Sequence, residues 1–562
     1  MHIMIAQTFA AFRRSGSLRQ QLRKMLRQLL IGLAAATSLF GSPVQGQPAS
    51  SAAPILSRIQ SIALDSSRTE HLAHALLDSL GPRLTGTPDL KRANDWLVKT
   101  YRSWGIEARN EKIGTWRGWR RGYSHIDLVS PRVRSLEGTM LGYSPGTGRK
   151  DVTASTVILP SFADSTAFVK WLPSAKGKYV LVSPPLPTCR PREDWNTNAT
   201  PESRARMDSL RARVGREWRG QNIRGTGYNL SLGTGDLGIR MEKAGIAGMI
   251  TSRPNDAWGT IEIFETYNVR APAIALSCED YGLVFRLTES GARPQIRMNL
   301  DAELLGEQPV HNTIAMIRGV EKADEYVVLS AHFDSWDGSS GATDNGTGTI
   351  MMLEAMRILK QVYPRPRRTI IAGHWAGEEE GTVGSRAFTE DHPEVLKGLQ
   401  VVFNQDNGTG RITRISGAGL PNAAERLSGW TSSLPAEMQT PDLYRGPGLP
   451  AGAGSDDSSF ACHGVPAFNL GGLSWTYGSY TWHTNRDTYD KIVFDDLKSN
   501  AALAAMLAFL ASEDSSFITR ERVELAARAQ GDTAGLRRRG GFPAVWPVCE
   551  KAARQTAPRL TR

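Results

Sequence analysis

The stretch from Tyr326 to Leu359 constrains this 562-residue chain more than any other. Tyr326-Val327-Val328-Leu329 is β-branched and apolar, the pattern of a buried strand. It runs into Ala331-His332-Phe333-Asp334-Ser335, so the strand delivers His332 and Asp334 to its C-terminal end. Side chains two apart point to the same side of a strand, which lets an imidazole and a carboxylate meet there. Gly338, Gly341, Asp344 and Gly346 follow, a loop able to bend close to an ion. Ile350, Leu353, Met356 and Leu359 then recur at helical spacing. Strand, acidic glycine-rich loop and helix, in that order, mark a ligand site at the strand ends of an open α/β sheet.

The same pattern returns downstream. Thr369-Ile370-Ile371-Ala372-Gly373 runs into Gly377-Glu378-Glu379-Glu380-Gly381, and Val401-Val402-Phe403 into Asn404-Gln405-Asp406. Trp482-His483-Thr484 comes later still. Two histidines (His332, His483) and three carboxylates (Asp344, Glu379, Asp406) make a mixed N/O set without thiolate. That set suits zinc or its first-row neighbours rather than calcium or a soft-metal site. One carboxylate can bridge two ions about 3.5–4 Å apart, and such a pair lowers the pKa of a water toward neutrality. Glu378, beside Glu379, is placed to act as the base that moves a proton from that water to a leaving amine. Singly, each element has a plainer reading: a lone histidine is usually a core or surface residue, and an acidic triplet a solvated face. Their shared order, each behind an apolar strand and among glycines, favours one metal site.

The first residues are of another kind. Arg13, Arg14, Arg19, Arg23, Lys24 and Arg27 precede an apolar run from Leu29 to Phe40, followed by Ser42-Pro43-Val44-Gln45-Gly46. This reads as a signal peptide over residues 1–46, the apolar run being too short to span a bilayer comfortably. Removing those six basic residues from the 67 in the chain, against 56 acidic ones, reduces the net charge from +11 to +5. The basic balance is thus no argument for nucleic acid, and Trp116-Arg117-Gly118-Trp119-Arg120-Arg121 reads as a solvated strand edge. The mature chain is expected to lack a stable membrane span and to work in the periplasm or outside the cell. Cys189, Cys278, Cys462 and Cys549 are far apart and form no clustered zinc site. Export permits disulfides, but the spacing assigns none.

A Pro/Ser/Ala linker precedes a helical segment, Ile55 to Gly105, interrupted at Gly81-Pro82-Arg83-Leu84-Thr85-Gly86. Residues 55–128 are expected to be the first part of a catalytic domain, 129–300 a β-rich insert, 301–520 the main catalytic domain and 521–562 a basic tail. Strands and helices alternate in the third of these, an α/β layered pattern with a central sheet flanked by helices. Gly233-Thr234-Gly235-Asp236-Leu237-Gly238 matches the dinucleotide GxGxxG formally. The half-polar Tyr228–Leu232 before it is no firm strand, so a glycine-rich turn is the better reading.

These motifs together resemble the co-catalytic dizinc exopeptidase family that includes bacterial leucyl aminopeptidases, aminopeptidase Y and carboxypeptidase Q. The resemblance is carried by Ala331–Ser335, Asp344–Gly348, Gly377–Ser385, Asp406, Gly454-Ser455-Asp456 and His483–Thr488, with Leu80–Thr87 upstream. It implies two zinc ions, one held by His332 and Asp406, the other by Glu379 and His483, with Asp344 bridging and Glu378 the general base. It further implies that Asp334 orients His332 through the other ring nitrogen, and that the Asp344–Asn345 peptide is cis. The Lys178–Ser183 strand, Ala244–Gly248 and Ala271–Ile274 resemble a protease-associated domain, an insert that borders the cleft.

The expected activity is removal of N-terminal residues from peptides. A carboxypeptidase Q-like dipeptidase or carboxypeptidase is the alternative, and an inactive receptor-like module on the same fold the alternative of another class. The complete ligand set speaks against the module, and no GxSxG elbow supports a serine hydrolase. Trp475, Tyr477 and Tyr480, just before His483, are placed to wall the pocket or donate to an oxyanion. Peptides are the expected partners, and a homodimer is left open.

Overall fold

The computed structural model describes residues 52–219, 226, 235–253, 255–440, 443–448, 454–524 and 546–556. The expected signal peptide, most of the basic tail and the start of the Gly233–Gly238 motif lie outside these residues.

Helices α1 (Ala53–Asp65) and α2 (Pro88–Ser103) form from the early periodic segment. Thr87 caps α2 by accepting the Leu90 N–H, and Pro88 fills the first turn, where its missing N–H costs nothing. Strand β1 (Glu107–Ser130) is far longer than its sequence pattern suggested. Short strands β2 (Gly138–Met140), β3 (Val152–Ile158), β4 (Tyr179–Leu181), β5 (Gly248–Thr251) and β6 (Ala273–Leu276) follow. Helices Pro201–Arg219, Gly235–Lys243 and Cys278–Glu289 lie between or after them. The chain then returns along β7 (Gln295–Ile317) into β8 (Lys322–His332), α3 (Thr347–Val362), β9 (Arg368–Trp375), α4 (Val383–Asp391) and β10 (Leu399–Asn404). It finishes with β11 (Ile412–Ile415), α5 (Asp457–Ala461), β12 (Ala467–Gly472) and α6 (Phe494–Glu513).

The strands form one mixed sheet in the order β11-β12-β10-β8-β9-β7-β3-β4-β5-β6-β2, with β1 antiparallel to β7 along its length. β12, β10, β8 and β9 run parallel. The far end of β7 pairs with β9 and its near end with β3, so β1 and β7 pass unbroken between the catalytic strands and those of the insert. Residues 129–300 are not only short strands: β3, β4, β5 and β6 are parallel and alternate with helices.

The alternation of side chains explains the layers. Val327, Leu329, Ile370, Ala372, Val401 and Phe403 face one core, shared with α3 and α6. Val328, Ile371 and Val402 face another, with Phe388 of α4 and Phe460 of α5. Strands covered on both faces read as continuous apolar runs, which is how they appear in the sequence. α3 is buried throughout from Thr347 to Leu359. Because β9 and β10 lie on opposite sides of β8, the connections diverge at the C-terminal end of β8. Such a switch point opens a crevice there.

All four cysteines are paired, although their spacing assigned no pairing: Cys189 to Cys278 within the insert, and Cys462 to Cys549, which ties the tail to α5. Both bridges fit an oxidising compartment. The bridged residues are 89 and 87 positions apart. Loops of that length restrict the unfolded chain strongly, so removing either pair by double Cys→Ala substitution is expected to cost about 2–4 kcal/mol. Guanidinium unfolding midpoints of the single-bridge variants against the parent measure this.

Candidate metal centre

Every residue singled out for the site arrives at the C-terminal edge of the parallel strands. His332 is the last residue of β8, Glu378 and Glu379 follow β9, and Asp406 follows β10. Asp344 lies in the turn before α3, where Gly341 adopts a left-handed φ of +59°. A Cβ on Gly341 would stand 2.3 Å from that of Ser335, so glycine alone fits. The Asp344–Asn345 peptide is cis, as the resemblance implied.

The side chains converge in two triads that share Asp344. His332 Nε2 lies 3.2 Å from Asp344 Oδ1 and 3.4 Å from Asp406 Oδ1. His483 Nε2 lies 3.3 Å from Asp344 Oδ2 and 3.0 Å from Glu379 Oε2. Donors held about 2.0–2.1 Å from one ion in a tetrahedron stand about 3.3 Å apart. The imidazole–carboxylate separations in both triads have that spacing, and all the ligand atoms of each lie within 4.8 Å of one another. Asp344 Oδ2 and Glu379 Oε1 are moreover buried without a hydrogen-bond partner, so the residues fit first-row metal ions on grounds of donor type, spacing and unspent acceptors.

A layer behind these donors fixes them. Asp334 does not meet His332 through its carboxylate: Nδ1 points to the Asp334 main-chain oxygen at 3.0 Å, and the nearer carboxylate oxygen is 3.8 Å away. The Asp334 carboxylate accepts instead the N–H groups of Glu378 (3.1 Å) and Glu379 (3.2 Å), and the Thr85 hydroxyl at 3.3 Å. It therefore aims the acidic loop. Asp487 does the same for the shared ligand, accepting the N–H of Thr343 at 2.7 Å and of Asp344 at 2.9 Å. Asn345 donates to the Gln405 carbonyl at 2.8 Å, which ties this turn to the Asp406 loop. The buried Arg83 guanidinium binds the carbonyls of Phe333 (2.7 Å), Ser340 (2.8 Å) and Gly341 (3.0 Å), clasping the chain on both sides of the loop between His332 and Asp344.

Electrostatics follow from this crowding. Burial alone would raise the Asp344 carboxyl, but the adjoining His332 and His483 imidazoles hold it well below the usual range. Burial pulls His483 down; Glu379 and Asp344 outweigh it and push the imidazolium up to about 10. Burial raises Glu379 to about 7 against the pull of His483. Glu378 lies outside both triads, and burial together with the charges of Asp406, Asp456 and Glu379 pushes it well up. Asp456 has no hydrogen-bond partner for either oxygen, and burial raises it to about 8.

Of the three aromatics before His483, Trp475 is 56% exposed and donates to Asp496 at 3.0 Å, turned from the site. The Tyr480 ring faces Lys491 instead. Tyr477 packs on Gly408, close enough to feel the charges of Asp344, Asp406 and Glu379. Asp487 and Arg83 were quoted inside motifs without a role. Their one sequence signal is position, four residues after a ligand histidine and within a glycine–proline turn.

Residues 312–508 match the profile of Peptidase family M28. The chain is a metallopeptidase, with a segment similar to that family. It is 25% identical to bovine carboxypeptidase Q over 438 residues, 78% of this chain and 84% of that protein. The fold matches the crystal structure of a Peptidase M28 precursor from Shewanella amazonensis with a TM-score of 0.62, at 23% identity over 84% of this chain and 99% of that one. It also matches BSAP, a zinc aminopeptidase from Bacillus subtilis, with a TM-score of 0.52, at 19% identity over 81% and 97% of the two chains.

In this metallopeptidase a metal ion must displace the protons that Glu379 and His483 hold below about 7 and about 10. Apparent affinity is therefore expected to fall as pH falls from about 8 to about 6, by roughly tenfold per unit for each proton displaced. Calorimetric titration of the metal-free protein, in buffers of different ionisation enthalpy, reads both the affinity and the proton release. Asp487→Ala, which frees the Asp344 turn, is expected to weaken metal binding about 10–100-fold with the fold retained. Titration and circular dichroism of the variant check that.

Proposed function

We propose that this chain is a zinc exopeptidase of the M28 type that removes residues from the amino ends of short peptides, with two zinc ions at the adjoining triads. The observation that carries the reading is Asp344, whose two oxygens face two separate imidazole–carboxylate sets. His332 and Asp406 would hold one ion, Glu379 and His483 the other, with Asp344 common to both. When bound, zinc supplies Lewis acidity, lowering the pKa of a water and polarising the scissile carbonyl.

The remaining work belongs to the chain. Glu378 sits beside the triads without joining them, and its raised pKa suits a group that takes a proton from the attacking water and returns it to the leaving amine. Asp334 and Asp487 keep the Glu378–Glu379 peptide and the Asp344 turn in place by accepting their N–H groups. Burial, followed by the surrounding carboxylate charges, raises the Tyr477 phenol. It stays protonated and is able to donate to an oxyanion. Residues 129–300 act as a protease-associated insert that narrows the cleft to chain ends. The signal-like residues 1–46 and the two disulfides support export. A dipeptidase is the second reading, favoured by the match to carboxypeptidase Q over most of both chains.

Hydrolysis of amino-terminal amide reporters beside free dipeptides, with and without chelator, tests the proposal. Chelator is expected to abolish turnover and zinc to restore it. Glu378→Gln is expected to lower kcat about 10²–10⁴-fold while still binding two zinc ions. Turnover that survives chelator, or a Glu378→Gln variant of full activity, would sink the reading. Cleavage of dipeptides alone would select the dipeptidase.

A further inference from the structure

The insert reaches the metal centre through one short segment. The Ile263 N–H donates to the His483 carbonyl at 2.7 Å, the Ile261 N–H to Asn485 Oδ1 at 2.8 Å, and the Asn485 N–H to the Ile261 carbonyl at 3.0 Å. Arg486 donates to the Gly259 carbonyl at 2.9 Å and pairs with Glu137. These bonds fix Gly259–Phe264 against the loop that carries His483. Glu262 and Phe264, two apart, share a face, and both meet Arg253, which lies just beyond the end of β5.

The Phe264 ring stands 5.0 Å from the His483 imidazole, edge to face, and is boxed by Trp336 at 5.3 Å and Trp482 at 6.3 Å. The Arg253 guanidinium carbon lies 3.9 Å over the same Phe264 ring. Its Nε is 2.9 Å from Glu262 Oε2, and its side chain remains 28% exposed. A cation stacked on an aromatic face is fixed in orientation, and arginine offers a planar fork matched to a carboxylate, which lysine does not.

We propose that Arg253 is a specificity residue that receives the α-carboxylate of the amino acid on the leaving side of the scissile bond. The assignment rests on the dipeptidase reading above, in which a single residue leaves, and adds the group that recognises the other end of the substrate. An extended leaving residue places its carboxylate about 4 Å beyond the scissile carbonyl carbon. A charge-assisted hydrogen bond adds about 2.8 Å. The two ring separations, taken together, put the guanidinium carbon within about 9 Å of the His483 imidazole centre. A dipeptide is thus long enough to reach from the triads to Arg253, and Glu262 lies against the guanidinium at Nε. A longer peptide, or an amidated one, has no carboxylate at that distance.

The test compares one free dipeptide with the same dipeptide as its carboxamide, on the zinc-loaded protein and on Arg253→Gln, Arg253→Lys and Arg253→Gln/Glu262→Gln. The double variant removes the buried carboxylate that Arg253→Gln alone would leave uncompensated. The wild type is expected to favour the free acid by about 10–100-fold in kcat/KM. Arg253→Gln and the double variant are expected to lose that factor on the acid, chiefly through KM, and to change the amide far less. Arg253→Lys should restore part of it. Equal turnover of acid and amide by the wild type, or an equal loss on both in the double variant, overturns the anchor while leaving the peptidase reading standing. Turnover of neither substrate by the zinc-loaded wild type overturns both.

Discussion

The structure depends on one carboxylate held between two imidazoles. Asp344 faces His332 with one oxygen and His483 with the other, and most of the polar architecture nearby serves to keep it there. Asp487 accepts the two N–H groups on its N-terminal side, Asn345 ties its C-terminal side to the Asp406 loop, and Arg83 secures the glycine turn leading into it. Buried charges of one sign repel, so such a cluster needs either cations or protons to persist. Burial raises Glu378, Glu379 and Asp456 for the same reason, each carboxyl lying among others.

The sheet supplies the geometry that this carboxylate requires. Because β8 is flanked by β9 and β10 and the helices leave on opposite faces, three of the site's loops emerge around one strand end. The insert adds a wall. Phe264 and its neighbours approach His483 through main-chain bonds, so the wall's position is set by backbone rather than by flexible side chains.

Much of the catalytic half was legible because its strands are buried on both faces and its helices are strongly periodic. The helical spacing from Ile350 to Leu359 and the apolar run Val401–Phe403 fall inside α3 and β10. His332, Glu379 and Asp406 could be picked out because each follows an apolar run, Asp344 and His483 from the motifs around them, and the structure brings all five together. What escaped is whatever depends on approach in space. Asp334 and Asp487 work by accepting main-chain N–H groups of distant loops, and no spacing in the chain announces that. The disulfides join cysteines that only the fold makes neighbours. β1 was legible only around Trp116–Arg121, because its continuation to Ser130 is polar and half exposed and alternation there is faint. Arg253 carried no signal, since its meaning comes from a phenylalanine eleven positions on and a histidine in another loop.

The long pairing of β1 with β7, bulged at several points, has a consequence for how the molecule assembles. Glu107 pairs with Met316 and Ser130 with Gln295, so the whole insert is threaded between two strands that must find each other. Contacts of such sequence separation carry a large loop-closure cost until the intervening residues have condensed. The insert is thus placed to collapse first and bring the two strands into register. β9 would dock on β7 only afterwards, and the zinc triads, drawn from loops beyond β8, β9 and β10, would be completed late. A chain emerging from synthesis or secretion would in this way remain without hydrolytic capacity until its architecture is nearly whole.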